Sequence, residues 1–154
     1  KDLRRAVGGY LVAIVFVILV FLGIEAVGLS IEPRFDPGES DISLVQNVLT
    51  SVTFVVVAVS EEYLFRGAIQ RRLELGLGDR GGLLIASLLF GSIHVFNYQG
   101  DATAVLLAVL ALSGVGAVVG YLYQQTDNLT VPIAVHYGYN QTLFVLLALG
   151  FSLT

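Results

Sequence analysis

Apolar residues run almost unbroken from Val7 to Val27 and recur in four further stretches, each closed by a short polar or glycine-rich segment. At 1.5 Å per residue the first run is about long enough to cross roughly 30 Å of hydrocarbon. It is too long for a signal-peptide core and no convincing cleavage site follows, so it reads as a first transmembrane helix. Lys1 to Arg5 form a basic flank, and Glu25 near the far end reads as an interfacial carboxylate.

Gly28 to Asp41 (GLSIEPRFDPGESD) holds two of the three prolines and predicts a loop, with room for a short amphipathic piece or a lid. Ser40 or Asp41 is placed to cap the next helix. Ile42 to Leu73 predicts the second helix. It enters with Gln46, Asn47, Thr50, Ser51 and Thr53, turns apolar, and then carries Ser60-Glu61-Glu62-Tyr63-Leu64-Phe65-Arg66-Gly67. Its polar residues suit the inside of a bundle better than lipid. Glu74 to Gly82 (ELGLGDRGG) reads as a turn, Leu83 to Tyr98 as the third helix, and Gly100-Asp101 as a tight connection. Ala102 to Gln125 is the fourth helix, in which Gly116 and Gly120 make a GxxxG that permits close helix approach and implies packing only. Thr126 to Thr130 is a short link. Val131 to Phe151 is the fifth helix, with Pro132 tolerated in its first turn. The expected architecture is all-α: one domain over residues 1–154, a polytopic transmembrane bundle of about five membrane helices.

Composition agrees. The 154 residues are 56% hydrophobic and 13% charged, about half the charged fraction of soluble domains. Mean hydropathy is +0.84. There is no cysteine, which excludes disulfides and thiolate chemistry. No basic, aromatic-interleaved stretch points to nucleic acid. The net charge is −4, and only Lys1 among the eight bases is lysine, a composition that hints at a prokaryotic, high-salt host. The chain begins at Lys1 instead of methionine, so a segment or processed form is expected. Lys1, Arg4 and Arg5 precede the first helix, and Arg71, Arg72 and Arg80 lie between the second and third. Both clusters are cytoplasmic if the N-terminus is, which predicts a multi-pass protein of the cell membrane with its N-terminus inside.

Against this background the interior polar residues stand out. A charge at the bilayer centre costs roughly 2.5–3.5 kcal/mol on insertion scales, so each needs a reason. Glu62 and Arg66 are four apart on one helix face, in the favourable order for an ion pair. Glu61, rotated by about 100°, has no such partner nearby in sequence. His94 lies in the third helix. His136 and Asn140 are four apart on one face of the fifth. Counted from the helix ends, Glu61 is about 15 Å from Arg71, His94 about 18 Å from Gly82, and His136 about 8 Å from Val131.

The residue types suggest hydrolysis without a serine or cysteine nucleophile. A carboxylate in an apolar site can act as a general base on water, and a histidine beside it can orient that water. A histidine and an asparagine on one face can donate to a developing oxyanion. Equally, Glu61, His94 and His136 can ligate zinc and leave a fourth position for water, although there is no HExxH. Two other classes remain open. One is a non-catalytic membrane protein that holds a peptide or lipid. The other is a proton or ion pathway, which lacks a second acidic stepping-stone on the last three helices.

Glu61-Glu62-xxx-Arg66, Phe90-xxx-His94 and His136-xxx-Asn140, in this order, resemble the CPBP intramembrane proteases, which include the type II CAAX prenyl endopeptidases and the Abi proteins linked to bacteriocin immunity. The resemblance spans Glu61 to Asn140. It implies a membrane bundle around a site open to the cytosol and a membrane-associated peptide or protein substrate, cut in the CAAX proteases near a prenylated C-terminus. It implies that Glu61 with His94 activates water, that His136 and Asn140 stabilise the oxyanion, and that Glu62 and Arg66 orient the site. Both a zinc-dependent and a metal-free, glutamate-dependent mechanism are associated with the family. Members usually have more than five helices.

Overall fold

The computed structural model describes residues 1–34 and 44–148. The proposed cap at Ser40 or Asp41, the start of the second helix at Ile42 and the end of the fifth at Phe151 lie outside the described residues. The chain folds as α1 (Asp2–Ala26), β1 (Ile31–Pro33), α2 (Leu44–Glu62), a π-helical segment (Tyr63–Gln70), α3 (Arg71–Ile93), a 3₁₀ turn (His94–Asn97), β2 (Tyr98–Gly100), α4 (Ala102–Thr126) and α5 (Thr130–Ala148).

The helical path differs from the expected one in its second and third helices. The expected second helix does not end at Leu73, and the expected turn over Glu74 to Gly82 is helical on both sides of a single break at Gly78 (φ 73°, ψ 170°). That left-handed backbone is open to glycine. The chain reverses there so tightly that a Cβ on Gly82 would lie 2.7 Å from the backbone nitrogen of Glu74. The expected third helix stops at Ile93, and His94 opens the 3₁₀ turn instead of lying within a helix that runs to Tyr98.

The predicted first loop contains a strand. β1 pairs antiparallel with β2, Ile31 opposite Gly100 and Pro33 opposite Tyr98. Asp101 closes the pairing: its amide donates to the Ser30 carbonyl at 2.9 Å, and its carboxylate accepts from the Ser30 amide at 2.7 Å.

The core lies where α1, α4 and α5 meet. Ala13, Val17, Phe21 and Ile24 form an inward stripe on α1 at near-helical spacing. It packs on Ala104, Ala108, Leu112, Val115 and Val119 of α4, and on Val131, Val135 and Tyr139 of α5. The outward faces are also apolar: Leu11, Leu19 and Leu22 on α1, and Val48, Val52 and Val56 on α2, are exposed. A helix apolar on its outer face as well as its inner one suits lipid. Among the described residues, three helices are long and apolar enough to cross a membrane: Asp2–Ala26, the Val45–Asn97 run and Ala102–Thr126. Against the expected five, the second and third are the two arms of the Val45–Asn97 run, on either side of the break at Gly78. The middle of α5 reads His-Tyr-Gly-Tyr-Asn-Gln-Thr and is too polar to register as a span.

Candidate active site

The reversal at Gly78 sets the site. Glu61 precedes it by seventeen residues and His94 follows it by sixteen, so the two arms bring them to one level. Phe65 and Phe90 mark the same pairing lower down, edge to face with ring centroids 5.2 Å apart. α5 enters alongside: a Cβ on Gly67 would sit 3.6 Å from Leu129 just before α5 begins. His136, nearly two turns on, therefore reaches the Glu61-Glu62 level.

Glu62 is fully buried, and Arg66 is 1% exposed. Arg66 Nε lies 3.1 Å from Glu62 Oε2. Neither atom has an aligned hydrogen bond, so the contact is an ion pair. Arg66 Nη2 donates to the Gly116 carbonyl at 2.9 Å. Its guanidinium carbon lies 4.7 Å from the centroid of the Phe90 ring. The other Glu62 oxygen accepts from His136 Nδ1 at 2.8 Å.

His94 Nδ1 lies 2.7 Å from the Phe90 carbonyl. A carbonyl only accepts, so Nδ1 carries the hydrogen there, as it does on His136 against the Glu62 carboxylate. In both neutral rings Nε2 then bears a lone pair. Both Nε2 atoms face Glu61 Oε2, at 4.0 Å for His94 and 3.8 Å for His136. Glu61 Oε2 is buried and accepts no hydrogen bond among the described residues. Three acceptors thus converge on one small space. Glu61 and His94 side chains keep 24% and 16% of their surface exposed, so the space is reachable from outside.

Phe90 holds the arrangement from below. Its ring lies 4.8 Å from the His94 ring and 5.6 Å, edge on, from the His136 ring. In the sequence it is visible only as a residue four positions before His94.

The structure brings Glu61, Glu62, Arg66, His94 and His136 together. Asn140 sits one helical turn beyond His136 on α5, half-buried, and its side chain makes no hydrogen bond among the described residues. The zinc donor set has suitable chemistry, but its spacing is loose. Ligand atoms on one tetrahedral zinc, with bonds of about 2.0–2.1 Å, sit roughly 3.3–3.5 Å apart. Among the described residues no group of three His, Asp or Glu side chains closes to metal-holding geometry. Two clefts lie elsewhere: one of about 290 Å³ between α2 and Tyr137, and one of about 590 Å³ beside β2 and α4.

The GxxxG of α4 does more than pack. Arg66 donates to the Gly116 carbonyl, Gln70 donates to the Gly120 carbonyl at 3.2 Å, and Glu74 accepts from Gln124 at 2.7 Å. Each pair is separated by 50 positions, so the two segments run parallel in register. A Cβ on Gly120 would fall 2.6 Å from Gln70 Oε1. Gln70 is fully buried and was missed in the sequence. The signal was there: Glu62, Arg66, Gln70 and Glu74 recur every four residues.

A membrane helix bundle with a partly buried Glu-Glu-Arg-His-His cluster defines the class. Residues 43–142, well over half of the chain, match the family described as type II CAAX prenyl endopeptidase Rce1-like, and the chain belongs to that family. It is also similar to the uncharacterized protein YpbD of Bacillus subtilis (strain 168), 31% identical over 83 residues. That match covers 54% of this chain and 37% of YpbD. No solved structure matches.

Proposed function

We propose that the protein is an intramembrane endopeptidase that hydrolyses a peptide bond in a membrane-associated substrate. The observation that carries this reading is the buried, unbonded Glu61 Oε2 facing both histidine Nε2 atoms. A water placed between Glu61 Oε2 and His94 Nε2 donates one hydrogen to each and turns a lone pair outward. As its oxygen bonds to the substrate carbonyl carbon, Glu61 takes the proton and the carbonyl electron pair moves onto oxygen. Asn140 Nδ2 donates to that oxyanion, and His136 Nε2 donates beside it once the ring has taken a second proton from solvent water, a proton it keeps through the step. On collapse the C–N bond breaks and the amine leaves with the proton that Glu61 took up. Glu62, held by Arg66, keeps His136 Nδ1 engaged and its Nε2 aimed at the site.

The basic residues Lys1, Arg4 and Arg5, with Arg71, Arg72 and Arg80, support a cytoplasmic N-terminus and a cytoplasmic Gly78 turn in the cell membrane. The family's description as a CAAX prenyl endopeptidase supports a prenylated peptide as the first substrate to try. The test compares wild type with Glu61→Gln on a prenylated peptide and on a pool of membrane peptides. The variant is expected to lose about 10²–10⁴ in rate. Equal cleavage by both would remove Glu61 as the base. Cleavage by neither would favour a non-catalytic peptide- or lipid-binding role.

A further inference from the structure

The polar seam below the site contains two buried atoms that the mechanism does not use. Among the described residues, Arg66 Nη1 is a donor with no acceptor, and Gln70 Oε1 is an acceptor with no donor. The Gln70 amide cannot be turned to relieve this. Its Nε2 already donates to Glu74 Oε1 at 2.8 Å and to the Gly120 carbonyl at 3.2 Å, and both of those partners only accept. Arg66 cannot relieve it either, because Nη2 is committed to the Gly116 carbonyl and Nε to Glu62. The two residues are four apart in the π-helical segment, and both side chains are directed at α4, through the carbonyls of Gly116 and Gly120.

We infer that one buried water bridges Arg66 Nη1 and Gln70 Oε1. The ligand must accept from a guanidinium and donate to an amide carbonyl. A cation would be repelled by Arg66, and an anion would meet the Gln70 oxygen. Water does both. Buried waters characteristically serve polar groups left unpaired by the protein. This one completes the shell of the arginine that holds Glu62, and through it His136.

Water-edited solid-state NMR of the full chain in lipid bilayers tests this without reference to catalysis. Magnetisation transfer from water to the Gln70 side-chain amide and to Arg66 Cζ is expected to be as fast as transfer to partly exposed Glu74, and much faster than to buried Val119. In Gln70→Leu the fast transfer to Arg66 is expected to be lost. Wild-type transfer at both residues as slow as at Val119 would overturn the assignment. Fast transfer to Arg66 that survives Gln70→Leu would overturn Gln70 as a ligand. If Gln70→Leu does not fold, the wild-type measurement alone decides.

Discussion

His136 donates its Nδ1 hydrogen to Glu62 at 2.8 Å across 74 positions of sequence, while its Nε2 faces Glu61 at 3.8 Å. One imidazole thus separates two carboxylates that are neighbours in the chain. Glu62 is fully buried and doubly engaged, by Arg66 and by His136. Glu61 is partly exposed and its Oε2 accepts nothing among the described residues. Adjacent acids therefore differ in setting: one is buried and engaged on both sides, and the other is partly exposed with an unbonded oxygen among the described residues.

Their neutral substitutions should separate those settings. Glu62→Gln leaves Arg66 buried without its counter-charge, a loss of about 3–5 kcal/mol for a broken buried pair. Glu61→Gln removes no hydrogen bond from Oε2 and should change stability by less than about 1 kcal/mol. Thermal unfolding in detergent reads both. Equal destabilisation would contradict the division.

Phe90 touches both histidine rings and the Arg66 guanidinium. Phe90→Ala should cost about 3–5 kcal/mol, the range for emptying a buried aromatic site. Phe90→Leu should cost less, since it keeps most of the volume, yet lower kcat because both imidazoles lose the surface that orients them. Unfolding midpoints and turnover on one preparation check this. Full turnover in Phe90→Leu would show that the ring only fills space.

The fold class and most of the cluster were legible because charge inside an apolar run is conspicuous. Glu61, Glu62, Arg66, His94 and His136 could be picked out on residue type alone. Their common level could not. Depths counted from Arg71, Gly82 and Val131 disagreed because the chain reverses at Gly78 and α5 starts level with Gly67. The π-helical segment was also hidden, since Tyr63 to Gln70 has no composition that separates it from α-helix. The β1–β2 pairing joins residues too far apart for a local pattern to reveal. From sequence, Gly116 and Gly120 predict close packing alone, because a residue string shows no carbonyl acceptors.

Gly100 is the tightest point of that pairing. It adopts φ +126°, and a Cβ there would lie 2.5 Å from the Ser30 carbonyl oxygen and 3.0 Å from Ile31 Cα. Gly100→Ala should cost about 1–3 kcal/mol of local strain and open the strand pair. Hydrogen exchange at the amides of Arg34 and Asp101, which donate to Asn97 and Ser30, is the measurement. Both should exchange faster than in wild type. Unchanged protection would mean that the pairing tolerates a side chain at this position.

The response to a chelator follows from spacing. Glu61 Oε2 is 3.8 and 4.0 Å from the two histidine nitrogens. That is wider than the roughly 3.3–3.5 Å between ligands of one tetrahedral zinc, while a water with bonds of about 2.8 Å spans it. Peptide cleavage should therefore persist after dialysis against a zinc chelator, with unchanged kcat and KM. Added zinc should not raise it. If chelation abolishes cleavage and zinc restores it, the three side chains close around a metal during turnover. Glu61 would then have to be reassigned from base to ligand. The same preparation carrying His136→Gln separates the outcomes further. In the metal-free scheme this variant loses an oxyanion donor and retains zinc-independent residual activity. In the metal scheme it loses a ligand, and its remaining activity should depend on zinc concentration.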